Sequence, residues 1–304
     1  MKKGLFEGAS PVIQLIMLAF TMIACFLLFM FIGLLLTPLV PGIPYTELMD
    51  IFSSGRLIQH PGLMRYMQVL QGIGLFIVPA FFATFLFSGT VFDYLELKQN
   101  TSAKWFGAVL LLILAAMPCI NLLAALNEMI VFPESLSGLE QRLKDSEEAA
   151  RQLTELFMNV DNVGGMLFNI FMIAILPALG EELIFRGLLQ KIFTKWTGNV
   201  HIAIIVTGFL FSLMHMQFYG FFPRWLLGVM FGYLLVWSGT IWLPVFAHFV
   251  NNSAAVFLSY LIHKGVISDK IEVFGSAWHD VPVTIAATIF CGWLLWKIYK
   301  NRNS

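Results

Sequence analysis

The sequence predicts an all-α fold, a polytopic membrane helix bundle of about eight transmembrane helices. Of the 304 residues, 59% are hydrophobic and only 12% are charged, whereas an average soluble domain is about 25% charged. The mean hydropathy is +0.81, which is more apolar surface than a soluble chain of this length can bury. The apolar residues form continuous runs without strand-like alternation, which argues against a β-barrel.

Eight apolar segments can be drawn along the chain, and each is a candidate membrane helix. They cover residues 12–36, 69–87, 105–126, 163–196, 202–218, 225–237, 241–262 and 281–299. The fifth and sixth are short, because a bilayer span needs about 20 residues. Pro79 and Pro118 lie inside the second and third segments, where neighbouring helices can satisfy the carbonyl groups that a proline frees.

A hydrophilic insert at 134–161 separates the first three segments from the rest. Its leucines and Phe157 have the spacing of an amphipathic surface helix. We therefore predict three parts: a scaffold of three transmembrane helices over 1–133, the acidic extramembrane insert over 134–161, and a membrane core with a final helix over 162–304. The candidate chemical residues all lie in the third part.

The distribution of charge predicts the topology. Basic residues lie near both termini and in the loop after the fourth segment: Lys2, Lys3, Lys191, Lys195, Lys297, Lys300 and Arg302. The insert carries seven acidic residues against three basic ones, which fits the outer side. We expect an integral, multi-pass protein with both termini cytoplasmic, in the plasma membrane if the source is bacterial. The first apolar run is too long for a signal-peptide core and predicts a retained helix.

The fourth segment places two carboxylates and an arginine at membrane depth, where ionisable groups are costly and usually functional. Glu182 and Arg186 are four residues apart and share one helix face, which predicts a self-neutralising structural pair. Glu181 is rotated by about 100° from Glu182 and needs another partner or a water-filled cavity. Pro177 cannot donate to the carbonyl of Ile173, so the helix can bend and open space beside Glu181.

Two later segments carry further polar side chains. His215 closes the fifth segment, and a lone histidine at a helix end is also compatible with an ordinary interface residue. His248 and Asn252 are four residues apart and project from one face of the seventh segment. They need polar partners or a cavity, although structural hydrogen bonding between helices is an alternative. The spacing Gly228-x-x-x-Gly232 predicts close helix packing.

Several classes of function are excluded by the motifs. The sequence contains no His-Glu-x-x-His, no Gly-x-Ser-x-Gly and no P-loop. None of Cys25, Cys119 and Cys291 has a Cys-x-x-Cys partner or a histidine near it in sequence. The net charge is zero and no basic tract indicates nucleic acid as a partner. The best remaining nucleophile is water activated by a carboxylate.

Three motifs occur in order in the apolar segments: Glu181-Glu182-x-x-x-Arg186, Phe211-x-x-x-His215 and His248-x-x-x-Asn252. Each is weak alone, and together they are specific. The set resembles the CPBP family of intramembrane proteases, which includes the Rce1-type CAAX prenyl endopeptidases and bacterial proteins linked to bacteriocin self-immunity. The resemblance covers residues 163–262, about a third of the chain.

The resemblance implies an Rce1-like core that acts as an intramembrane endopeptidase on a membrane-delivered peptide or protein. It assigns Glu181 as the base that activates water and His215 as its partner. It assigns His248 and Asn252 as donors to the oxyanion. The second glutamate and the arginine of the first motif take supporting positions.

The sequence leaves three alternatives open. Members of this family have also been described as metalloproteases, and Glu181, His215, His248 and Asn252 could in principle bind zinc. We favour a reaction without a cofactor, because asparagine is an uncommon zinc ligand and a good oxyanion donor. A proton-coupled transporter would also suit short segments interrupted by Gly and Pro. The third alternative is a catalytically silent protein of the bacteriocin-immunity type.

A straight-helix estimate creates a geometric difficulty. A helix that begins near Asn199 would carry His215 roughly 24 Å into the bilayer, whereas His248 would lie much shallower. We therefore expect tilted, short or broken helices around a shared cavity.

Overall fold

The structure, a computed structural model, describes residues 4–300. Over that range it is helical and contains no β-strand, which confirms the all-α prediction. The helices used below are α1 (Pro11–Leu36), α2 (Tyr45–Ser53), α3 (Pro61–Phe87), α4 (Ala103–Glu128), α5 (Ser137–Met158), α6 (Val163–Thr197), α7 (Val200–Met214), α8 (Phe221–Ser238), α9 (Trp242–His263) and α10 (Val281–Lys300).

Within the described range, seven helices are long and apolar enough to cross a membrane, namely α1, α3, α4, α6, α8, α9 and α10. This confirms an integral, multi-pass membrane protein. The eighth apolar helix, α7, has 15 residues and a length of about 22 Å, so it is shorter than the hydrocarbon core of about 30 Å.

Two predicted segment bounds near the site were wrong. The fifth segment was expected to reach residue 218, but α7 ends at Met214 because Met216 adopts a left-handed backbone with φ of 53°. The sixth segment was expected over 225–237, but α8 runs from Phe221 to Ser238. The second segment also begins earlier than residue 69, since Pro61 starts α3, at the helix position where proline is best tolerated.

Two of the long helices contain π-helical turns next to a proline. In α3 the turn Ile73–Ile77 precedes Pro79, and in α6 the turn Ile170–Ile175 precedes Pro177. A proline removes a backbone hydrogen bond, and a wider turn accommodates that loss. The expected irregularity before Glu181 is therefore present as a π-helical turn.

The apolar helices alternate in direction, so their ends form two faces. One face holds both described ends of the chain, together with the ends of α3, α6 and α8. Contacts across this face are Phe6 N to Leu86 O (2.8 Å), Lys195 Nζ to Ala9 O (2.9 Å), Thr240 Oγ1 to Gln99 O (2.8 Å) and the rings of Trp237 and Tyr299 (5.6 Å between centroids). The two described ends of the chain therefore lie on the same face of the bundle.

Helix α5 lies on the opposite face. Ser146 Oγ donates to Met216 O at 3.1 Å, and the backbone N–H of Tyr219 donates to Glu147 at 3.2 Å. These contacts join the insert to the loop after α7. On the exposed side of α5, ion pairing with Arg151 lowers the pKa of Glu148 to about 2.

Two details of the topology prediction change. Lys191 and Lys195 lie in the last turns of α6 and not in a loop, and Lys191 Nζ pairs with a carboxylate oxygen of Glu96 at 2.9 Å. Lys2, Lys3 and Arg302 fall outside the described residues. The side of the membrane on which each face lies therefore stays a prediction.

Helix α6 is the central helix of the bundle. Every residue from Gly180 to Leu188 is buried, as expected for a helix that packs against neighbours on all sides. A Cβ added to Gly180 would lie 2.7 Å from the Cβ of Phe76 on α3, so this glycine permits the close contact between the two helices. The carboxylates of the first motif are thus fixed on a rigid, enclosed element.

Candidate active site

A cavity of about 380 Å³ lies between α3, α5, α6, α7, α8 and α9. Its wall includes all four side chains predicted to form the site: Glu181, His215, His248 and Asn252. The short α7 brings His215 to the same space as His248 and Asn252 of α9, which agrees with the expectation of short or broken helices around a shared cavity. The structure thus brings the four residues together, whereas their catalytic roles stay predictions.

Glu182 is the centre of a buried hydrogen-bond network. Its Oε1 accepts from Arg186 Nη1 at 2.8 Å and lies 2.9 Å from His248 Nδ1. Glu182 and Arg186 are fully buried, and His248 is nearly so. The predicted self-neutralising pair is therefore formed, and it also holds a histidine from α9. Sequence spacing could find the first contact but not the second.

Arg186 is enclosed on all sides. Its Nη2 donates to Gly228 O at 2.7 Å, and its guanidinium lies 4.7 Å from the ring centre of Phe211 and 5.3 Å from that of Phe231. Desolvated cation–π contacts of this kind stabilise a buried cation. The arginine therefore ties α6 to both α7 and α8.

The orientation of His248 follows from its partners. A carboxylate only accepts hydrogen bonds, so Nδ1 donates to Glu182. The imidazole stacks on Phe231 with 5.3 Å between ring centres. This fixes Nε2 at 4.0 Å from Glu181 Oε2. Glu182 therefore both neutralises Arg186 and orients His248.

Glu181 differs from Glu182 in its surroundings. It is 8% exposed and lines the cavity. Within residues 4–300, Glu181 Oε2 has no hydrogen-bond partner, and the 4.0 Å separation from His248 leaves it outside hydrogen-bonding range. The sequence-based expectation of a cavity beside an unpaired carboxylate agrees with this geometry.

His215 lies directly after the last residue of α7. Its Nδ1 donates to Phe211 O at 2.9 Å, because a carbonyl oxygen can only accept. In the neutral ring this leaves the lone pair of Nε2 as an acceptor. No contact between Glu181 and His215 is seen in the described part of the chain, and the histidine near the Glu181 carboxylate is His248.

Asn252 has a structural partner that the sequence did not reveal. Its Nδ2 donates to Ile173 O at 3.0 Å, and its Oδ1 accepts from Asn251 at 3.1 Å. Ile173 O is the carbonyl that Pro177 cannot serve. Asn252 therefore satisfies the backbone at the irregular turn, and it retains a second N–H for another acceptor.

Arg224 is a cavity residue that the sequence interpretation missed. It lies in the first turns of α8 and lines the same cavity as Glu181. Like Glu181, Arg224 is an ionisable residue next to a long apolar run, and such residues are usually functional. It was missed because the predicted sixth segment began one residue later, at Trp225.

The donor atoms around the cavity determine whether it could bind a metal ion. Among residues 4–300, no group of three or more His, Cys, Asp or Glu side chains is arranged to hold a metal ion. Both histidines use Nδ1 for protein contacts, which leaves one ring nitrogen on each. The residues as they lie here do not form a metal centre.

Taken together, these features define a class: a multi-pass helical membrane protein with glutamate, histidine and asparagine side chains around an internal cavity. The family model of the type II CAAX prenyl endopeptidase Rce1-like proteins matches residues 163–254, which include all three motifs. Over this segment the chain is similar to the Rce1-like family, which confirms the resemblance drawn from the motifs.

Two curated relatives from Bacillus subtilis (strain 168) are similar over this region. The sporulation-killing factor biosynthesis protein SkfC is 37% identical over 90 residues, which cover 27% of this chain and 18% of that protein. The uncharacterized protein YpbD is 28% identical over 109 residues, which cover 34% of this chain and 50% of that protein. The chain thus spans half or less of the relatives that it matches. No solved structure matches the chain.

Proposed function

We propose that the protein is an intramembrane endopeptidase that hydrolyses a peptide bond with water activated by Glu181. The observation that supports this most directly is the free Glu181 oxygen on the wall of a cavity shared with two histidines and Asn252. A carboxylate without a competing partner is suited to accept a proton from water. The substrate is a membrane-delivered peptide or protein segment.

In the proposed reaction, the oxygen of a water molecule forms a bond to the carbonyl carbon of the scissile peptide. Glu181 accepts one proton of that water, while the lone pair on His215 Nε2 accepts a hydrogen bond and orients it. The tetrahedral intermediate then releases the amine, which receives the proton from Glu181. The products are a carboxylic acid and an amine.

Two donors would stabilise the oxyanion of the intermediate. One is the N–H of Asn252 that is not used by Ile173. The other would be Nε2–H of His248 in its doubly protonated form, whose positive charge the oxyanion would balance, since Glu181 has by then accepted a proton and Arg186 pairs with Glu182. Donors of this kind stabilise developing charge strongly in a site shielded from water.

The test compares wild type with Glu181→Gln in liposomes that contain fluorogenic peptides with apolar residues around the cleaved bond. We expect the variant to lose at least about 100-fold in turnover, since general base catalysis contributes about 10² to 10⁴. Glu47→Gln, which changes an exposed glutamate of α2, is the matched control and should retain full turnover. Equal turnover by wild type and Glu181→Gln would refute the proposal.

Metal dependence is tested in the same assay. Retention of turnover after exhaustive chelation supports hydrolysis without a metal, and loss that is restored by added zinc supports the alternative. Because chelation is applied to wild type, this measurement decides whether a metal is needed independently of whether Glu181 is the base.

A catalytically silent protein is the second candidate function. It is favoured by the observation that Glu182, Arg186, His248 and Asn252 all make structural contacts in the resting protein. The name of SkfC refers to the biosynthesis of a sporulation-killing factor, which is compatible with either candidate. If the gene is deleted and a Glu181→Gln variant restores the lost cellular function as fully as wild type does, the result would support this second candidate.

A further inference from the structure

The wall of the cavity contains an arginine, Arg224, that lies outside the three motifs. Arg224 Nη1 donates to Gln217 O at 3.2 Å, and Nη2 donates to Gln217 Oε1 at 2.7 Å. Both acceptors are neutral. Across residues 4–300 none of the ion pairs includes Arg224, in contrast to Arg186, which binds Glu182 directly. The carboxylates of Glu147 and Glu181 act on Arg224 only from beyond ion-pair distance.

The loop after α7 is shaped around this guanidinium. A Cβ added to Gly220 would lie 2.5 Å from Arg224 Nη2 and 3.0 Å from Nη1, so a larger residue at this position would displace the guanidinium. The same loop is held in place by Glu147 of α5, which accepts from the N–H of Tyr219. The half-buried guanidinium is therefore positioned by Gln217 and Gly220 and faces the cavity.

The chemistry of the guanidinium indicates what it can bind. It carries five N–H donors in a planar fork, and Gln217 occupies only part of this set. A fork of this geometry matches the two oxygens of a carboxylate. The cavity also contains the free carboxylate of Glu181, which would repel an anionic ligand unless a positive charge lay nearby.

We propose that Arg224, held by Gln217 and Gly220, forms a subsite that binds a carboxylate of the substrate beside the scissile bond. The proposal rests on the function proposed above. The carboxylate belongs either to the carboxyl terminus of the substrate or to an acidic side chain. Arg224 is thus a residue that determines specificity, separate from the three motifs.

The probes are three pools of amino-terminally acylated hexapeptides with randomised apolar residues. The first pool has a free terminal carboxylate, the second a terminal amide and one aspartate, and the third a terminal amide and an asparagine in place of that aspartate. Binding to the purified full-length protein in detergent is measured by displacement of a fluorescent member, and hydrolysis is followed by mass spectrometry.

We expect wild type to bind one of the two acidic pools about 10- to 100-fold more tightly than the neutral pool, the range that one charge-assisted hydrogen bond supplies. The first pool identifies a terminal carboxylate and the second an acidic side chain. In Arg224→Gln the preference should fall to within about threefold. Arg142→Gln, which removes an exposed arginine of α5, should keep the preference.

Two further variants keep the positive charge and protect the test against misfolding. Arg224→Lys retains the charge without the fork, and we expect a reduced preference. Gly220→Ala retains Arg224 but displaces its guanidinium, and we expect the preference to be lost. These variants should melt close to wild type.

Three results would overturn the proposal. The first is wild type that binds all three pools with equal affinity or binds none of them, and the second is a preference that survives in both Arg224→Gln and Gly220→Ala. The third is an Arg224→Gln variant that binds all three pools more weakly by the same factor. The last result would make Arg224 a counterion of Glu181. A preference in binding without any hydrolysis would instead refute the endopeptidase and leave the subsite intact. Hydrolysis of the peptides without a binding preference would refute the subsite and leave the endopeptidase intact.

Discussion

The buried pair of Glu182 and Arg186 offers a quantitative test of how the site is held together. Both side chains are fully buried, and they are joined at 2.8 Å. Removal of one partner from a buried pair costs about 3–5 kcal/mol, because the other charge is left without compensation. Glu182 also accepts from His248 at 2.9 Å, and loss of that hydrogen bond adds about 1 kcal/mol.

We therefore expect Glu182→Ala to lose about 4–6 kcal/mol, a large share of the 5–15 kcal/mol typical of folded proteins. Arg186→Met should lose less, since His248 can still donate to the remaining carboxylate. The double variant removes both charges, so its loss should fall short of the sum of the single losses by at least about 2 kcal/mol.

The assay is reversible unfolding of each purified variant in mixed detergent micelles, followed by circular dichroism. The partly exposed pair Glu140 and Lys144 on α5 is the matched control, since it has the same i,i+4 spacing and should show much weaker coupling, of about 0.5 kcal/mol or less. Single losses at Glu182 and Arg186 that add to within about 0.5 kcal/mol would refute the account of a self-neutralising pair.

Two further predictions concern packing and sidedness. Gly228→Ala should destabilise the protein, because the added Cβ would lie 2.9 Å from the Cα of Gly208 in α7, whereas Gly107→Ala, with open space around it, should be neutral or slightly stabilising. Melting temperatures check this, and equal effects of the two substitutions would contradict it. A cysteine at Thr154, an exposed residue of α5 beside the cavity, should react with a membrane-impermeant maleimide in intact cells. A cysteine at Thr197, on the other face, should react only after permeabilisation, and the opposite pattern would reverse the predicted topology.

The sequence predicted the membrane helices well because burial in lipid requires long apolar runs. It failed at the ends of α7 and α8, where hydropathy carries no information about the backbone. Met216 to Phe218 are mostly apolar, yet the left-handed conformation of Met216 ends the helix. Arg224 made the start of the next helix look polar, although α8 already begins at Phe221.

The site was predictable only where its contacts are local. The pair of Glu182 and Arg186 follows from i,i+4 spacing on one helix. Contacts between helices depend on how α9 is placed against α6, and packing of the whole bundle decides that placement. For this reason the bonds from His248 to Glu182 and from Asn252 to Ile173 could not be derived. Pro177 predicted a free carbonyl but not the side chain that would satisfy it.

The position of the cavity in the bundle determines from which side of the membrane a substrate would reach it. Leu153, Thr154 and Phe157 of α5 form part of its wall, so the cavity lies toward the face that carries the insert. Both described chain ends lie on the other face. The charge distribution predicts that the termini are cytoplasmic, and we therefore expect the cavity to face the outer side. With that orientation, a substrate would reach Glu181 from the outer leaflet, beside the residues of α5 that line the cavity.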